Sequence, residues 1–146
     1  MRLTILFISL FSASSFCDDI ELVRYSFHQI NNKDELSSFL DNFKDSSCES
    51  YEPFIAAASM QMARYAFITK KMKYFNMGKE KLEYYIINNP KNLEAKYLRL
   101  LIQKEIPSFL NYNDSIENDR KFIELNLAAS NLSKEYQKLI LQNIKK

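Results

Sequence analysis

Apolar side chains recur every three or four residues along most of the chain, which is the spacing of one face of an α-helix. The pattern predicts a helix over residues 18–30, a second helix capped by Asp34, and a third helix that begins at Pro53 and continues to Thr69. A polar loop at residues 45–50 separates the second helix from the third. The predicted inward faces of these two helices are Leu36, Phe39, Leu40 and Phe43, and Ile55, Ala58, Met62, Tyr65 and Thr69.

Four more helices are predicted, and their limits follow from asparagine, proline and serine. A fourth helix begins after a break near residues 70–71 and ends at Asn-Asn-Pro, residues 88–90, because a residue before proline is displaced from the α region. The other boundary residues are Asn92 and Pro107 for the fifth helix, Asp114 or Ser115 for the start of the sixth, and Ser133 for the start of the seventh. No segment alternates at period two for long enough to predict a strand, so an all-α fold is expected.

The single glycine, Gly78, lies inside the fourth predicted helix. A glycine there costs about 1 kcal/mol relative to alanine, so we expect that it allows close contact with another helix. A tetratricopeptide repeat has small residues at two helix crossings and a proline after its second helix. With Pro90 as that proline, Gly78 and Ala66 take the small-residue positions, whereas Tyr85 stands where alanine is usual. The predicted architecture is a small array of antiparallel helical hairpins, degenerate and tetratricopeptide-like.

Residues 1–17 have the order of a secretory signal peptide: one base at Arg2, an apolar run at residues 3–11, then small residues. The apolar run is too short to remain as a membrane-spanning helix. Cleavage after Cys17 would leave residues 18–146 as a single helical domain. The alternatives are cleavage after Ser15, lipid attachment at Cys17, which bulky Phe16 disfavours, and retention of the segment as a core helix. We expect an exported protein of the periplasm or cell envelope, with no transmembrane segment once the signal is removed.

Loss of residues 1–17 would leave Cys48 as the only cysteine, so no intramolecular disulfide is expected and the thiol is predicted to be buried or inert. The remaining nineteen bases and eighteen acids nearly balance, which disfavours a dedicated nucleic-acid-binding function. Acids predominate in residues 18–60 and bases in residues 61–146. This asymmetry indicates differently charged solvated faces or, alternatively, attraction within the fold or between two copies.

The sequence offers little material for catalysis. His28 is the only histidine, and three or four His, Cys or carboxylate ligands are needed for a zinc site. One glycine excludes a Gly-x-Ser-x-Gly elbow and a glycine-rich phosphate loop. Acidic pairs stand at predicted helix starts, where helix capping explains them. We therefore predict no catalytic residue, no cofactor and no metal.

Two sets of residues remain as candidates for special roles. Arg99 lies within an apolar segment and is predicted to form a buried ion pair with Glu83 or Asp119, or alternatively to bind the carboxylate of a peptide. The other set is predicted to bind a protein or peptide partner: Lys70, Lys73, Tyr74, Lys81, Phe109 and Tyr112. The alternatives are a solvated helix face for the lysines and a plug at the end of the bundle for Phe109 and Tyr112.

A spaced series of residues runs through the middle of the chain: Tyr74, Phe75, Gly78, Leu82, Glu83, Pro90, Asn92, Glu94, Leu98, Arg99, Ile102, Gln103, Pro107, Phe109, Leu110, Tyr112, Ile116, Asp119, Phe122 and Ile123. With its surroundings, residues 63–123, this series resembles a family of uncharacterised, exported, all-helical proteins of Gram-negative bacteria. Lys96 stands where that family is expected to have arginine, and Pro53 and Ile55 where a glycine-containing stretch is expected. The resemblance implies an all-helical fold and export, and it transfers no catalytic residue.

These observations lead to one main functional expectation. The chain is predicted to be a protein-interaction module of the cell envelope. The alternatives are a structural or envelope-maintenance bundle without a discrete groove and an enzyme of unknown type. A concave groove lined by tyrosine and lysine side chains would favour the first. A convex and fully plugged bundle would favour the second, and a deep pocket that gathers Arg99, Glu83 and a nearby aspartate would favour the third.

Overall fold

The structure, a computed structural model, describes residue 17 and residues 19–145, and this part of the chain contains seven α-helices and no strand. The predicted all-α class is confirmed. The predicted signal peptide falls almost wholly outside the described residues, since residues 1–16 are not among them. The helices are α1 (Ile20–His28), α2 (Lys33–Phe43), α3 (Glu52–Met62), α4 (Ile68–Asn88), α5 (Leu93–Glu105), α6 (Ile116–Asn126) and α7 (Lys134–Lys145).

Polar side chains cap several helices at their first turns. Asn92 caps α5 as predicted, and Asp19 caps α1, each accepting a hydrogen bond from a backbone N–H in the first turn. The cap of α2 is Asn32, whose side chain accepts from the Glu35 N–H at 3.0 Å. The prediction of Asp34 as this cap is wrong, because Asp34 already lies inside the first turn, where the helix dipole favours an acid.

The third helix is shorter than predicted. It ends at Met62, and the chain turns through residues 63–67 before α4 begins at Ile68. Tyr65 therefore lies in the turn and Thr69 in α4, and the predicted break at residues 70–71 falls inside α4. The apolar spacing continues across the turn without a proline or a glycine, so local pattern alone does not reveal it. Backbone N–H groups of residues 63–65 bond three residues back, which tightens the end of α3.

The core is built around α3 and α5. Residues 53–60 of α3 are all buried, because α1, α2, α4 and α5 all pack against this helix. α5 contacts α3, α4, α6 and α7. The most enclosed large side chains come from all seven helices, and they include Val23, Leu36, Phe54, Leu82, Tyr97, Leu98, Leu100, Ile123, Tyr136, Ile140 and Ile144.

Gly78 lies where α4 crosses α3. A Cβ at this position would stand 2.5 Å from the Ala56 carbonyl oxygen and 2.5 Å from Met60 Cγ. The predicted close helix contact at Gly78 is therefore confirmed, and its partner is α3. The tetratricopeptide alignment is wrong in one respect: Ala66, which it puts at the matching helix crossing, lies in the turn between α3 and α4.

Cys48 is disulfide-bonded to Cys17, with 5.5 Å between their Cα atoms. The expectation of a single unpaired cysteine without an intramolecular disulfide is wrong for this structure. It followed from removing Cys17 together with the signal peptide. The start of α1 in fact returns to the short 3-10 turn before α3, which brings two cysteines that are distant in sequence within bonding distance.

Candidate partner-binding groove

An apolar groove of about 500 Å³ opens at one end of the molecule. It lies between the end of α3, the start of α4, the end of α5 and the 3-10 turn Ser108–Leu110. Met60, Phe75 and Ile102 come from the buried core, whereas Ile68, Met72 and Phe109 are among its exposed lining residues. The volume falls within the range of ordinary ligand pockets.

Large apolar side chains stand exposed beside this groove. Phe67 and Ile68 are each 84% exposed, and Phe109 is 77% exposed. Phe67 is the last residue of the turn and Ile68 the first of α4, and no neighbouring element covers them among the described residues. Contiguous exposed apolar side chains of this size are typical of a binding surface.

The direction of Phe109 is set by an unusual backbone conformation two residues later. Asn111 has a φ of 46°, in the left-handed region that asparagine tolerates better than most residues. The chain reverses here, so that Phe109 points outward at the groove while Tyr112 is buried. One short loop therefore sends its two aromatic side chains in opposite directions.

The rim of the groove carries an excess of positive charge. Arg64 and Glu105 form an ion pair across it, and Lys71 also lines it. Lys70, Lys71 and Lys73 are exposed, and no carboxylate pairs with them in the described part of the chain. Among the described residues that line the groove, Glu105 is the only acid, and it is already paired. These lysines therefore favour an acidic group on whatever binds.

The predicted partner-binding residues do not all lie at the groove. Phe109 lines the groove, and Lys70 and Lys73 flank the lining residue Lys71. Tyr74 is half-buried on α4. Lys81 is exposed, but it lies ten residues beyond Lys71, about 15 Å further along the helix, and does not line the groove.

Tyr112 is wrongly predicted as a partner-binding residue, because it is only 4% exposed. Its hydroxyl donates to Glu83 Oε1 at 2.5 Å, and its ring packs edge-on against Phe75. Lys79 Nζ lies 4.7 Å from the centre of the ring. Burial raises the pKa of Tyr112 well above its usual value, and the hydrogen bond to Glu83 raises it further. For Tyr112, the structure therefore agrees with the alternative prediction, in which the side chain plugs the end of the bundle.

The predicted polar group of Arg99, Glu83 and Asp119 is brought together beneath the groove. Arg99 donates from Nε and Nη2 to the two oxygens of Asp119 at 2.7 and 2.8 Å, and from Nη1 to Glu83 at 2.7 Å. Asp119 is 1% exposed. Burial alone would lower the pKa of Arg99, but its two carboxylate partners raise it, so the guanidinium stays charged. This cluster of three charged side chains links α4, α5 and α6. Its hydrogen bonds use the guanidinium N–H groups of Arg99 that a peptide carboxylate would need.

A second buried arginine was missed by the sequence analysis. Arg24 of α1 donates to both oxygens of Glu94 on α5, at 2.7 and 2.6 Å, and its guanidinium carbon lies 5.2 Å from the centre of the Tyr136 ring. The signal was available: Arg24 follows Val23 and precedes Phe27, both on the inward face of α1. An arginine in that position, as in the Arg99 segment, indicates a buried partner.

His28 lies at the edge of this second cluster. Its ring is within 6 Å of the rings of Tyr97 and Tyr136, and its Nε2 is 3.4 Å from the Tyr136 hydroxyl. Burial lowers the pKa of His28 to about 4. The imidazole is therefore neutral at pH 7, and its ring is partly buried at the edge of the core.

The described residues contain no group of three or more His, Cys, Asp and Glu side chains placed to hold a metal ion. Within the same residues, no helix combines the length and the apolar character needed to cross a membrane.

Comparison of the chain with protein-family models, with curated proteins and with solved structures gives no match. The resemblance of residues 63–123 to an exported helical family therefore stays a prediction.

Proposed function

We propose that the protein is a protein-interaction module of the cell envelope, and that the groove holds an apolar segment of its partner. The observation that carries this proposal is the apolar groove of about 500 Å³ with Ile68 and Phe109 exposed along it. Leaving such side chains in water is unfavourable by about 25 cal/mol for each Å² of apolar surface. A partner that covers them gains that free energy on binding.

The partner segment is proposed to be an amphipathic helix with acidic residues beside its apolar face. The described residues contain no strand, so in this part of the chain a peptide has no sheet edge to which it could add a strand. A space bounded by helices suits the insertion of apolar side chains from a docked helix. Lys70, Lys71 and Lys73 would then face the acidic side of the partner, which adds charge complementarity and specificity.

The architecture supports this use. α3 packs with α4 and α5 packs with α6 as two hairpins, and α3, α5 and α7 lie side by side. This order is that of a degenerate tetratricopeptide-like array, which we propose as the fold relationship despite the position of Ala66. Arrays of this kind commonly present binding surfaces to peptides. Membership of the exported helical family is part of the same proposal.

Export is proposed on two grounds. Residues 1–17 have the order of a signal peptide, and the Cys17–Cys48 disulfide is of the kind that persists in oxidising compartments such as the periplasm.

An envelope-maintenance bundle is the second candidate, favoured by the two buried ion clusters. That alternative gives no role to exposed Phe67, Ile68 and Phe109. We propose no enzymatic activity, because Arg64, Lys71 and Glu105 are the ionisable side chains that line the groove, and two of them pair with each other.

Site-specific photo-crosslinking in the source cell tests the proposal. A benzophenone side chain at Phe109 should crosslink one protein through an apolar segment flanked by acids. The same group at Tyr84, which is 70% exposed on α4 and does not line the groove, is the matched control and should not capture that protein.

A synthetic peptide of the captured segment provides the second measurement. It should bind the purified protein, bind more weakly at high salt, and lose most of its affinity to Met72→Lys, which places a charge in the groove. Equal capture from both positions, or peptide binding that is unaffected by Met72→Lys, would refute the proposal.

A further inference from the structure

The N-terminal segment is attached to the body of the protein at two points. Cys17 is bonded to Cys48, which is 5% exposed, and the Cα–Cα distance of 5.5 Å lies in the ordinary disulfide range. Two residues later, the Asp19 N–H donates to the Tyr51 hydroxyl at 3.2 Å. The Asp19 side chain also accepts from the Leu22 N–H at 2.9 Å and so begins α1. Cys17 and Asp19 are therefore both attached to the folded domain.

Two of the N-terminal alternatives leave no sulfur at Cys17 that could form a disulfide. Cleavage after Cys17 would remove it, and attachment of a lipid would convert it to a thioether. The disulfide uses the same sulfur and excludes both. Among the cleaved alternatives, only the cut after Ser15 without lipid attachment is compatible with the disulfide.

We propose that the signal peptide is cut between Ser15 and Phe16, and that Cys17 remains in the mature protein as half of a structural disulfide. A cut at this place puts Ala13 and Ser15 at positions −3 and −1, which is the small-x-small pattern of leader cleavage. A cut after Cys17 would instead put Ser15 and Cys17 there. The protein is then released from the membrane and carries no lipid at Cys17. This processing step is independent of what the groove binds.

Formation of the bond is an oxidation and needs an electron acceptor. Two thiols lose two protons and two electrons to the disulfide of a thiol oxidase, which is left as a dithiol. Export to an oxidising compartment supplies such an enzyme, whereas the cytosol keeps thiols reduced. The proposal therefore requires that the bond form after export.

The test is peptide mapping of the full chain, expressed with its own leader in a Gram-negative host and alkylated before lysis. A non-reduced tryptic digest should contain residues 16–24 joined to residues 45–64, because Arg24, Lys44 and Arg64 are the flanking cleavage sites. Reduction should split this product into its two peptides. Alkylation of either cysteine in the wild-type protein, an N-terminus at Asp18, an acylated Cys17 or an uncut leader would overturn the proposal.

One variant and a reductant together separate the effect of the bond from the effect of burying Cys48. Cys17 is exposed, so Cys17→Ser should lower the melting temperature only by removing the disulfide. Adding a reductant to the wild type should lower it by the same amount, and adding it to Cys17→Ser should have no effect. An unchanged melting temperature for Cys17→Ser under oxidising conditions would refute a structural role for Cys17.

Discussion

Gly78→Ala should destabilise the protein, although the same change usually strengthens a helix. In an exposed helix interior, alanine is favoured over glycine by about 1 kcal/mol. Here the new methyl group would lie 2.5 Å from the Ala56 carbonyl oxygen and 2.9 Å from the Met60 backbone nitrogen. Neither backbone atom can move away without displacing α3, so α4 must separate from the helix with which it makes its most extensive contact.

The size of the effect follows from these two opposing contributions. Overpacking of a well-packed site costs typically about 1–3 kcal/mol, and contacts with backbone belong to the upper part of that range. Subtracting about 1 kcal/mol for the better helix propensity leaves a net loss of about 1–2 kcal/mol in the free energy of unfolding. For a domain of this size, that loss corresponds to a melting temperature lower by roughly 3–10 °C.

Urea denaturation followed by far-UV circular dichroism measures the loss directly. Asn76→Ala is the matched control, because Asn76 lies two residues earlier on the exposed side of α4 and gains helix propensity, somewhat less than glycine does, without the contact. The free energy of unfolding of Asn76→Ala should equal that of the wild type or be slightly higher. If Gly78→Ala were as stable as the control, the close approach of α3 and α4 would not explain the glycine.

Three further predictions concern the buried charges and the disulfide. Arg99→Met should lower the free energy of unfolding by about 3–5 kcal/mol in urea denaturation, because Asp119 stays buried without its main partner; wild-type-like melting would contradict this. His28 has its pKa lowered to about 4 in the folded state, from about 6.5 unfolded. Stability is therefore full above pH 6.5 and falls as the pH drops, by about 2 kcal/mol between pH 7 and pH 5. His28→Gln should remove most of this slope in urea titrations, and an unchanged slope would be the contrary result. Cys17→Ser opens a loop with a sequence separation of 31 and should cost about 3–4 kcal/mol under oxidising conditions, where a loss below about 1 kcal/mol would contradict the bond.

Most helix positions could be predicted because helix formation depends on residues close together in sequence. The cap at Asn92, the stop before Pro90 and the apolar faces of α5 and α7 all act within about one turn. Arg99 could be assigned a buried partner for a similar reason, because a charge inside an apolar face must be paired. The same rule would have identified Arg24, whose neighbours Val23 and Phe27 are buried.

The turn between α3 and α4 could not be read from the sequence, since apolar spacing continues through Met62, Tyr65 and Thr69. The chain turns there because α4 gains more by packing against α3 than residues 63–67 would gain from another turn of helix. The opposite directions of Phe109 and Tyr112 likewise depend on a single left-handed residue, Asn111, and on the core beneath it. Neither outcome follows from local propensity.

The sequence by itself determined the all-α class, most helix limits, the close packing at Gly78 and the need of Arg99 for a buried partner. These follow from backbone propensity, capping and the cost of burying a polar group, which act locally. The tertiary structure alone decided the groove and the disulfide. Ile68, Ile102 and Phe109 come together only when α4, α5 and the loop after α5 pack, and Cys17 meets Cys48 only when α1 and α2 fold back on α3. Contacts between distant segments depend on how whole helices pack, and no short stretch of residues encodes them.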